Sequence, residues 1–225
     1  MILDTLQDLD QRITLILNSL HCEAGDWVWR VFSMVEVWFP LYLAVMFFMI
    51  RRLGWKKGLL MVLAMALTVA ACDQLAGLVK NSVCRLRPCH NTDMMAAGLY
   101  VLEDLGGLYG FFSGHAANAF GFAAASSIGF EADKNHRYEL YQWFIFLWAA
   151  LVGLSRIFVG KHYFGDVLVG AIVGFLVGCA IAMAFRKLPI FRIPPTASQT
   201  NGSTGGLTDW SSRHRCRIWH LGSTR

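Results

Sequence analysis

Charged residues are scarce in this chain of 225 residues: they make up 16% of it, against about 25% in an average soluble domain. Hydrophobic residues reach 56%. This shortage of charge excludes an ordinary soluble domain and is typical of a membrane protein. The sequence therefore predicts an all-α fold, a polytopic bundle of transmembrane helices.

Features of several other protein classes are also missing. No cysteine–histidine spacing resembles a zinc site, so we expect no metal and no cofactor. No motif for nucleic-acid binding occurs, although the net charge is +5. The amino terminus lacks the basic region and the cleavage site of a signal peptide. The six cysteines do not form a disulfide framework, and a bridge between Cys84 and Cys89 stays open as an alternative.

Long apolar segments are what the chain does contain. A transmembrane helix needs about 20 mostly apolar residues, and five segments within residues 27–187, the predicted transmembrane domain, meet this need. Gly170, Gly174 and Gly178 in the last segment predict close approach by a neighbouring helix. The predicted spans are residues 32–50, 58–79, 111–130, 140–159 and 167–185.

The two ends of the chain differ from this apolar middle. In residues 1–26 hydrophobic side chains recur at helical spacing with aspartates between them, which predicts an amphipathic helix lying on the membrane. A sixth span is the alternative, and it would bury those carboxylates. Residues 188–225 include PPTASQTNGSTGG, a composition typical of a flexible linker, and predict a flexible cytoplasmic tail.

Basic residues in the short loops set the expected orientation. Lysines and arginines follow the first, third and fifth spans, which places those segments in the cytoplasm. The connections 80–110 and 156–166 then face the exterior. The basic residues after the first span are Arg51, Arg52, Lys56 and Lys57.

Polar residues collect at the outer ends of four spans. Lys80 and Arg87 are seven residues apart, so both fall on one side if the second helix continues as far as Pro88. Residues 113–115 open the third span, where free N–H groups favour an anion. Each residue alone is explained as a snorkelling or capping side chain. Together they suit a phosphate group: Lys80, Arg87, Ser113, Gly114, His115, Arg156, His162 and Asp166.

The two histidines of this set can carry separate chemical roles. His162 and Asp166 are one helical turn apart, so the carboxylate can accept one imidazole N–H and leave the other nitrogen free as a nucleophile. His115, on another span, can protonate the leaving oxygen and later activate water. The three cations stabilise charge in the transition state, so no metal is required.

Three motifs in this region resemble those of the type 2 phosphatidic acid phosphatase superfamily. Their order and spacing match that family, and Phe112 stands where the family usually has proline. The motifs are Lys80 with Arg87-Pro88, then Phe112-Ser113-Gly114-His115, then Ser155-Arg156 with His162 and Asp166.

The resemblance implies a metal-independent phosphatase with a phosphohistidine intermediate. It implies His162 as nucleophile, Asp166 as the residue that orients it, and His115 as general acid. It also implies a phosphate-binding group and a supporting group. These are Lys80, Arg87, Ser113, Gly114 and Arg156 for phosphate, and Ser155 and Pro88 for support.

The resemblance further implies a membrane lipid phosphate as substrate and the lipid bilayer as partner. Undecaprenyl diphosphate or a lipid A phosphate is favoured, with phosphatidylglycerol phosphate and phosphatidic acid as alternatives. The expected location is the bacterial inner membrane, with the site facing outward. Two other classes stay open: a vanadate-dependent haloperoxidase-like enzyme, which would be soluble, and a transporter, against which the absence of an internal repeat argues.

Asp73 is an acidic residue inside the second predicted span, seven residues before Lys80. A carboxylate facing lipid costs about 3 kcal/mol even on lenient scales, so we expect Asp73 to point into the bundle. Two roles are considered: a hydrogen bond to a polar neighbour such as Asn118, or orientation toward Lys80 to tune phosphate affinity.

Overall fold

The computed structural model describes residues 2–191, and over this range the chain is helical without strands. The predicted all-α membrane bundle is confirmed. The predicted tail lies outside the described residues, apart from 188–191. The α-helices are α1 (Ile2–Asn18), α2 (Glu23–Ser33), α3 (Phe39–Leu53), α4 (Trp55–Val83), α5 (Thr92–Ala96), α6 (Gly114–Phe130), α7 (Glu139–Phe158) and α8 (Phe164–Arg186), with short 3₁₀ helices at Glu36–Trp38, Pro88–His90 and Pro189–Phe191.

Three helices, α4, α7 and α8, are long and apolar enough to cross a membrane on their own. A fourth candidate consists of α2 and the segment Glu36–Leu53, which meet at an angle of 71° and count as one span only if taken together. The helix α6 has 17 residues, somewhat fewer than the about 20 of a full span. The count of five spans therefore stays a prediction.

The predicted first span, residues 32–50, does not form one continuous helix. The helix α2 ends at Ser33, and α3 begins only at Phe39 with Pro40 in its first turn. Proline is well tolerated there because the first N–H groups of a helix have no intrahelical partner. The chain changes direction at this break.

Small residues hold α8 against α6 at the centre of the bundle. Gly170, Gly174 and Gly178 are all buried. A Cβ atom added at Gly174 would lie 2.0 Å from the carbonyl oxygen of Ala117, a distance that no real contact tolerates. The close approach predicted from the three glycines is confirmed, and the neighbouring helix is α6.

The polar side of α1 packs against the last turn of α7 and the first turn of α8. Asn18, 1% exposed, donates to the last carbonyls of α7 at 3.1 Å and accepts the Tyr100 N–H at 2.8 Å. Thr14 and Asp10 accept the first N–H groups of α8, at 3.0 and 2.7 Å. Helix ends leave N–H and C=O groups without intrahelical partners, and α1 supplies those partners.

Candidate functional site

The end of α4, the start of α6, the end of α7 and the connection between α7 and α8 contribute to one cavity of about 840 Å³. The convergence predicted from the span ends is thus present in the structure. Six of the predicted residues line this cavity: Lys80, Arg87, Gly114, His115, Arg156 and His162.

Arg87 reaches the cavity from an extended segment and not from a helix. The helix α4 ends at Val83, and Cys84 adopts a left-handed conformation with φ of 52°. The Arg87 N–H donates to Leu108 at 3.0 Å, so the segment pairs with a distant part of the chain. The expectation that α4 continues to Pro88 is wrong, because the left-handed residue ends the helix earlier; Pro88 instead begins a short 3₁₀ helix.

Cys84 and Cys89 flank this segment as free thiols. Cys84 is exposed, whereas Cys89 is buried. The disulfide that the sequence left open is therefore absent.

The first turn of α6 forms a second wall of the cavity. Ser113 is the N-cap of this helix: its Oγ accepts the Ala116 N–H at 3.4 Å, while its own N–H donates to the Asp166 carbonyl at 2.9 Å. A Cβ atom added at Gly114 would lie 3.6 Å from Lys80 Nζ. The free amides of the α6 N-terminus and the Lys80 ammonium group therefore lie close together, and this arrangement favours binding of an anion.

Arg156 forms the third wall and is 5% exposed. Its Nη1 donates to Ser33 Oγ and to Glu103 Oε2, the latter at 3.4 Å, and Ser33 in turn donates to Glu103. Its Nε has no partner among the described residues. One side of the guanidinium is thus fixed and the other can donate to a ligand. Ser155 donates to Val152 within its own helix at 2.7 Å and is fully buried.

His162 lies in the connection between α7 and α8 and is 2% exposed. Its Nδ1 is 3.5 Å from Asp166 Oδ2, longer than a formed N–H···O bond of about 2.9 Å, and has no other partner within residues 2–191. Burial lowers the pKa of His162 to about 4, although Asp166 opposes this shift. The imidazole is therefore neutral near pH 7, the form in which a ring nitrogen is nucleophilic.

Arg85 connects Asp166 to the amino-terminal helix. Its Nη1 donates to Asp166 and its Nη2 to Asp10, both at 2.6 Å. The guanidinium also stacks on the Tyr163 ring at 4.0 Å. Tyr163 N–H donates to Asp166 as well, at 3.2 Å. Asp166, which is fully buried, is thus held from two directions.

Sequence analysis did not assign Arg85, Asp10 or Glu103 to the site. Arg85 lies within the stretch KNSVCRLRP, two residues before Arg87, and this closeness to a predicted site residue could have indicated it. Asp10 begins a polar stripe at spacing four that continues to residues 14 and 18, which indicates a buried polar face. For Glu103 the sequence carried no signal.

Lys161 is a further cation near the site and is buried, with 4% exposure. A Cβ atom added at Gly106 would lie 3.3 Å from its Nζ. Burial lowers the pKa of this lysine, while Cys89 and Glu103 oppose the shift. Lys161 lies under the 103–107 loop and is absent from the cavity wall described above.

The remainder of the cavity extends between α3, α4 and α6 and is largely apolar, with three polar exceptions. Asp73 lies on this wall and is exposed, so its expected orientation into the bundle stays a prediction. The hydrogen bond expected from the Asn118 side-chain NH₂ group to Asp73 is absent among the described residues, and Asn118 Oδ1 is also without a partner. Gln74 is the third polar side chain. The apolar wall includes Trp38, Tyr42, Met46, Val62, Val69 and Phe122.

No group of three or more histidine, cysteine, aspartate or glutamate residues that could hold a metal ion occurs within residues 2–191. The site presents cations and histidines instead, and an apolar space continues beside them. These features define a helical membrane protein with an anion site at one end of its helix bundle.

The chain belongs to the PAP2 superfamily, whose sequence profile matches residues 57–189. It is 32% identical over 188 residues to a lipid A 4'-phosphatase of Bacteroides thetaiotaomicron, covering 83% of this chain and 81% of that protein. It is also 32% identical over 177 residues to a lipid A 4'-phosphatase of Porphyromonas gingivalis, covering 78% and 72%. The protein is therefore a membrane lipid phosphatase, which replaces the transporter and haloperoxidase alternatives.

Two solved structures share its fold. A PAP2-type phosphatidylglycerolphosphate phosphatase from Bacillus subtilis superposes with a TM-score of 0.65 at 21% identity, over 84% of this chain and 90% of that one. LpxE from Aquifex aeolicus superposes with a TM-score of 0.56 at 24% identity, over 77% and 93%.

Proposed function

We propose that this protein removes a phosphate group from a lipid A-type glycolipid through a phosphohistidine intermediate. The observation that carries the proposal is the cavity described above, in which cations and two histidines adjoin an apolar wall. Such a cavity accommodates a phosphate ester together with part of its lipid. The lipid A 4'-phosphatases among the relatives support this choice of substrate over undecaprenyl diphosphate.

In the first step the substrate phosphate lies among Lys80, Arg87, Arg156 and the amides of the α6 first turn. The Nε2 atom of His162 attacks phosphorus, a P–N bond forms and the ester P–O bond breaks. His115, protonated at this stage, donates its proton to the leaving oxygen. The cations stabilise the charge on the transferring group, which is most of what phosphoryl transfer needs.

In the second step His115 is neutral and accepts a proton from water. The water oxygen attacks phosphorus, the P–N bond breaks and orthophosphate leaves. Asp166 orients His162 in both steps, because a small movement closes the 3.5 Å gap between Nδ1 and the carboxylate. Ser113 and Gly114 provide the anion-binding turn, while Ser155 and Pro88 support the backbone around it.

We place the protein in the bacterial inner membrane with the cavity at the outer surface. Arg51, Arg52, Lys56 and Lys57 lie at the junction of α3 and α4, and the cavity residue Lys80 lies at the far end of α4. The rule that basic residues stay in the cytoplasm supports this orientation.

Phosphate release by the purified protein in detergent, with a chelator present, tests the activity. A panel of lipid A, undecaprenyl diphosphate, phosphatidylglycerol phosphate and phosphatidic acid tests the substrate. We expect release from all active substrates to persist with the chelator and to be fastest with lipid A. A higher kcat/KM for any other lipid contradicts the proposed substrate, and loss of activity on chelation contradicts the metal-independent mechanism.

A further inference from the structure

Three polar side chains on the apolar wall of the cavity form no hydrogen bond with other described residues. Asp73 and Gln74 come from α4 and Asn118 comes from α6. The side chains of all three form no hydrogen bond or ion pair with any other residue of the described range, and Asn118 Oδ1 is buried without a partner. Asp73 and Gln74 are exposed along the cavity and Asn118 is half-buried, so these groups are accessible to a polar ligand that enters the cavity.

Their position relative to the phosphate site defines which part of a ligand they would contact. Asn118 follows His115 by three residues on α6, so both lie on the same face of that helix. Asp73 precedes Lys80 by seven residues, about 10 Å along α4. The three polar groups therefore line the same cavity as the phosphate residues and lie beyond them along α4 and α6, where the group that carries the phosphate would sit.

We propose that Asp73, Gln74 and Asn118 form a hydrogen-bonding subsite for the sugar that carries the scissile phosphate. This inference rests on the proposed function. A phosphorylated, acylated amino sugar has hydroxyl and amide N–H donors, and amide oxygens, beside its phosphate ester. The Asp73 carboxylate and Asn118 Oδ1 accept from such donors, whereas the side-chain NH₂ groups of Gln74 and Asn118 donate to its oxygens.

Polyprenyl phosphates and phosphatidic acid would leave this subsite unsatisfied. A polyprenyl phosphate places hydrocarbon beside its phosphate, and a diacylglycerol phosphate places ester oxygens there, so neither offers a donor to Asp73. A site built to bind hydroxyl and N–H groups discriminates strongly against analogues that lack them, because its own polar groups stay unpaired. The subsite therefore favours glycolipid phosphates.

The test compares two substrates across two variants. Asp73→Asn keeps the size of the side chain and removes its charge, and Asn118→Ala removes the amide. For both variants we expect kcat/KM to fall by about 10- to 100-fold with lipid A and by less than about threefold with phosphatidic acid of matched acyl length. Ser127→Ala is the matched control: Ser127 Oγ is also buried without a partner on α6, but it lines a second, separate cavity.

The outcomes separate this inference from the proposed function. Selective loss with lipid A supports the subsite, provided that the variants retain the parent's thermal stability in detergent. If the parent protein is active but the variants lose both substrates equally, or neither, the subsite is wrong and the phosphatase assignment stands. If the parent releases phosphate from neither lipid, the proposed function and the subsite both fail.

Discussion

Replacing Arg85 by alanine removes the cation that links Asp166 to Asp10. Each of its two bonds is 2.6 Å long and joins opposite charges. Hydrogen bonds to charged groups contribute about 1.5–3 kcal/mol each. Arg85 is 24% exposed and Asp166 fully buried, so solvent replaces the lost contacts only in part.

The catalytic consequence follows from the position of Asp166 relative to His162. Without Arg85 the carboxylate keeps only the Tyr163 N–H, and it can move away from Nδ1. A displacement of about 1 Å at a reacting group costs on the order of a hundredfold in rate, so we expect Arg85→Ala to lower kcat by about 10- to 100-fold. KM should change by less than about threefold, because Arg85 lies outside the cavity wall.

The assay is steady-state phosphate release in detergent, with thermal stability measured on the same preparations. Arg85→Lys should give an intermediate kcat, since an ammonium keeps the charge but cannot bridge two carboxylates in the same planar geometry. Arg30→Ala is the control, because Arg30 is exposed on α2. A folded Arg85→Ala protein with kcat within threefold of the parent would refute the positioning role, and a raised KM with unchanged kcat would assign Arg85 to substrate binding.

Four further outcomes are expected. His162→Ala should abolish turnover and the acid-labile phosphoenzyme trapped from labelled substrate; more than about 1% residual activity contradicts nucleophilic catalysis, since even a general base contributes about 10²–10⁴-fold. Arg87→Lys and Arg156→Lys should each lose at least about tenfold in kcat/KM because a point charge replaces a two-pronged donor; near-parental kinetics for both would refute two-pronged phosphate binding by these arginines. Gly174→Ala should lower the melting temperature in detergent by several degrees or prevent folding, because its Cβ meets the Ala117 carbonyl; an unchanged melting temperature would refute the packing argument. Burial lowers the pKa of His162 to about 4; Arg156 and Arg87 add to this lowering, and Asp166 opposes it. The imidazole therefore stays neutral as pH falls from 7 to about 5. After correction for the separately titrated ionisation of the substrate, the pKa of the acid limb of kcat/KM should lie well below 6.5, and an enzyme pKa at 6.5 or above would contradict the burial.

The sequence was sufficient to predict the residues that line the cavity. It was less informative about the residues that position them. Lys80, His115 and His162 lie near the ends of apolar segments, so the alternation of spans alone places them on one side of the membrane. Their type and spacing then indicate phosphate chemistry. These inferences depend on local patterns, which a single sequence displays.

The supporting contacts depend on pairs that are distant in the chain. Arg85 bonds Asp10 and Asp166, which are 75 and 81 residues away, and no local pattern links such positions. The end of α4 before Pro88 was also missed because it depends on a distant contact: the segment after the helix pairs with residues 108–110. Asn118 was expected to satisfy Asp73 because both are polar and intramembrane, but the cavity lies between α4 and α6 at that level.

The docking of α1 onto the ends of α7 and α8 affects how the protein must mature. The ribosome completes α1 long before it makes the residues that α1 contacts, so Asp10, Thr14 and Asn18 wait for partners about 140–155 residues later. The pocket around Asp166 is then completed only when the last helix has entered the membrane. A truncation or bulky fusion at the amino terminus thus acts on the active site, although every sequence motif of the family lies more than 60 residues downstream.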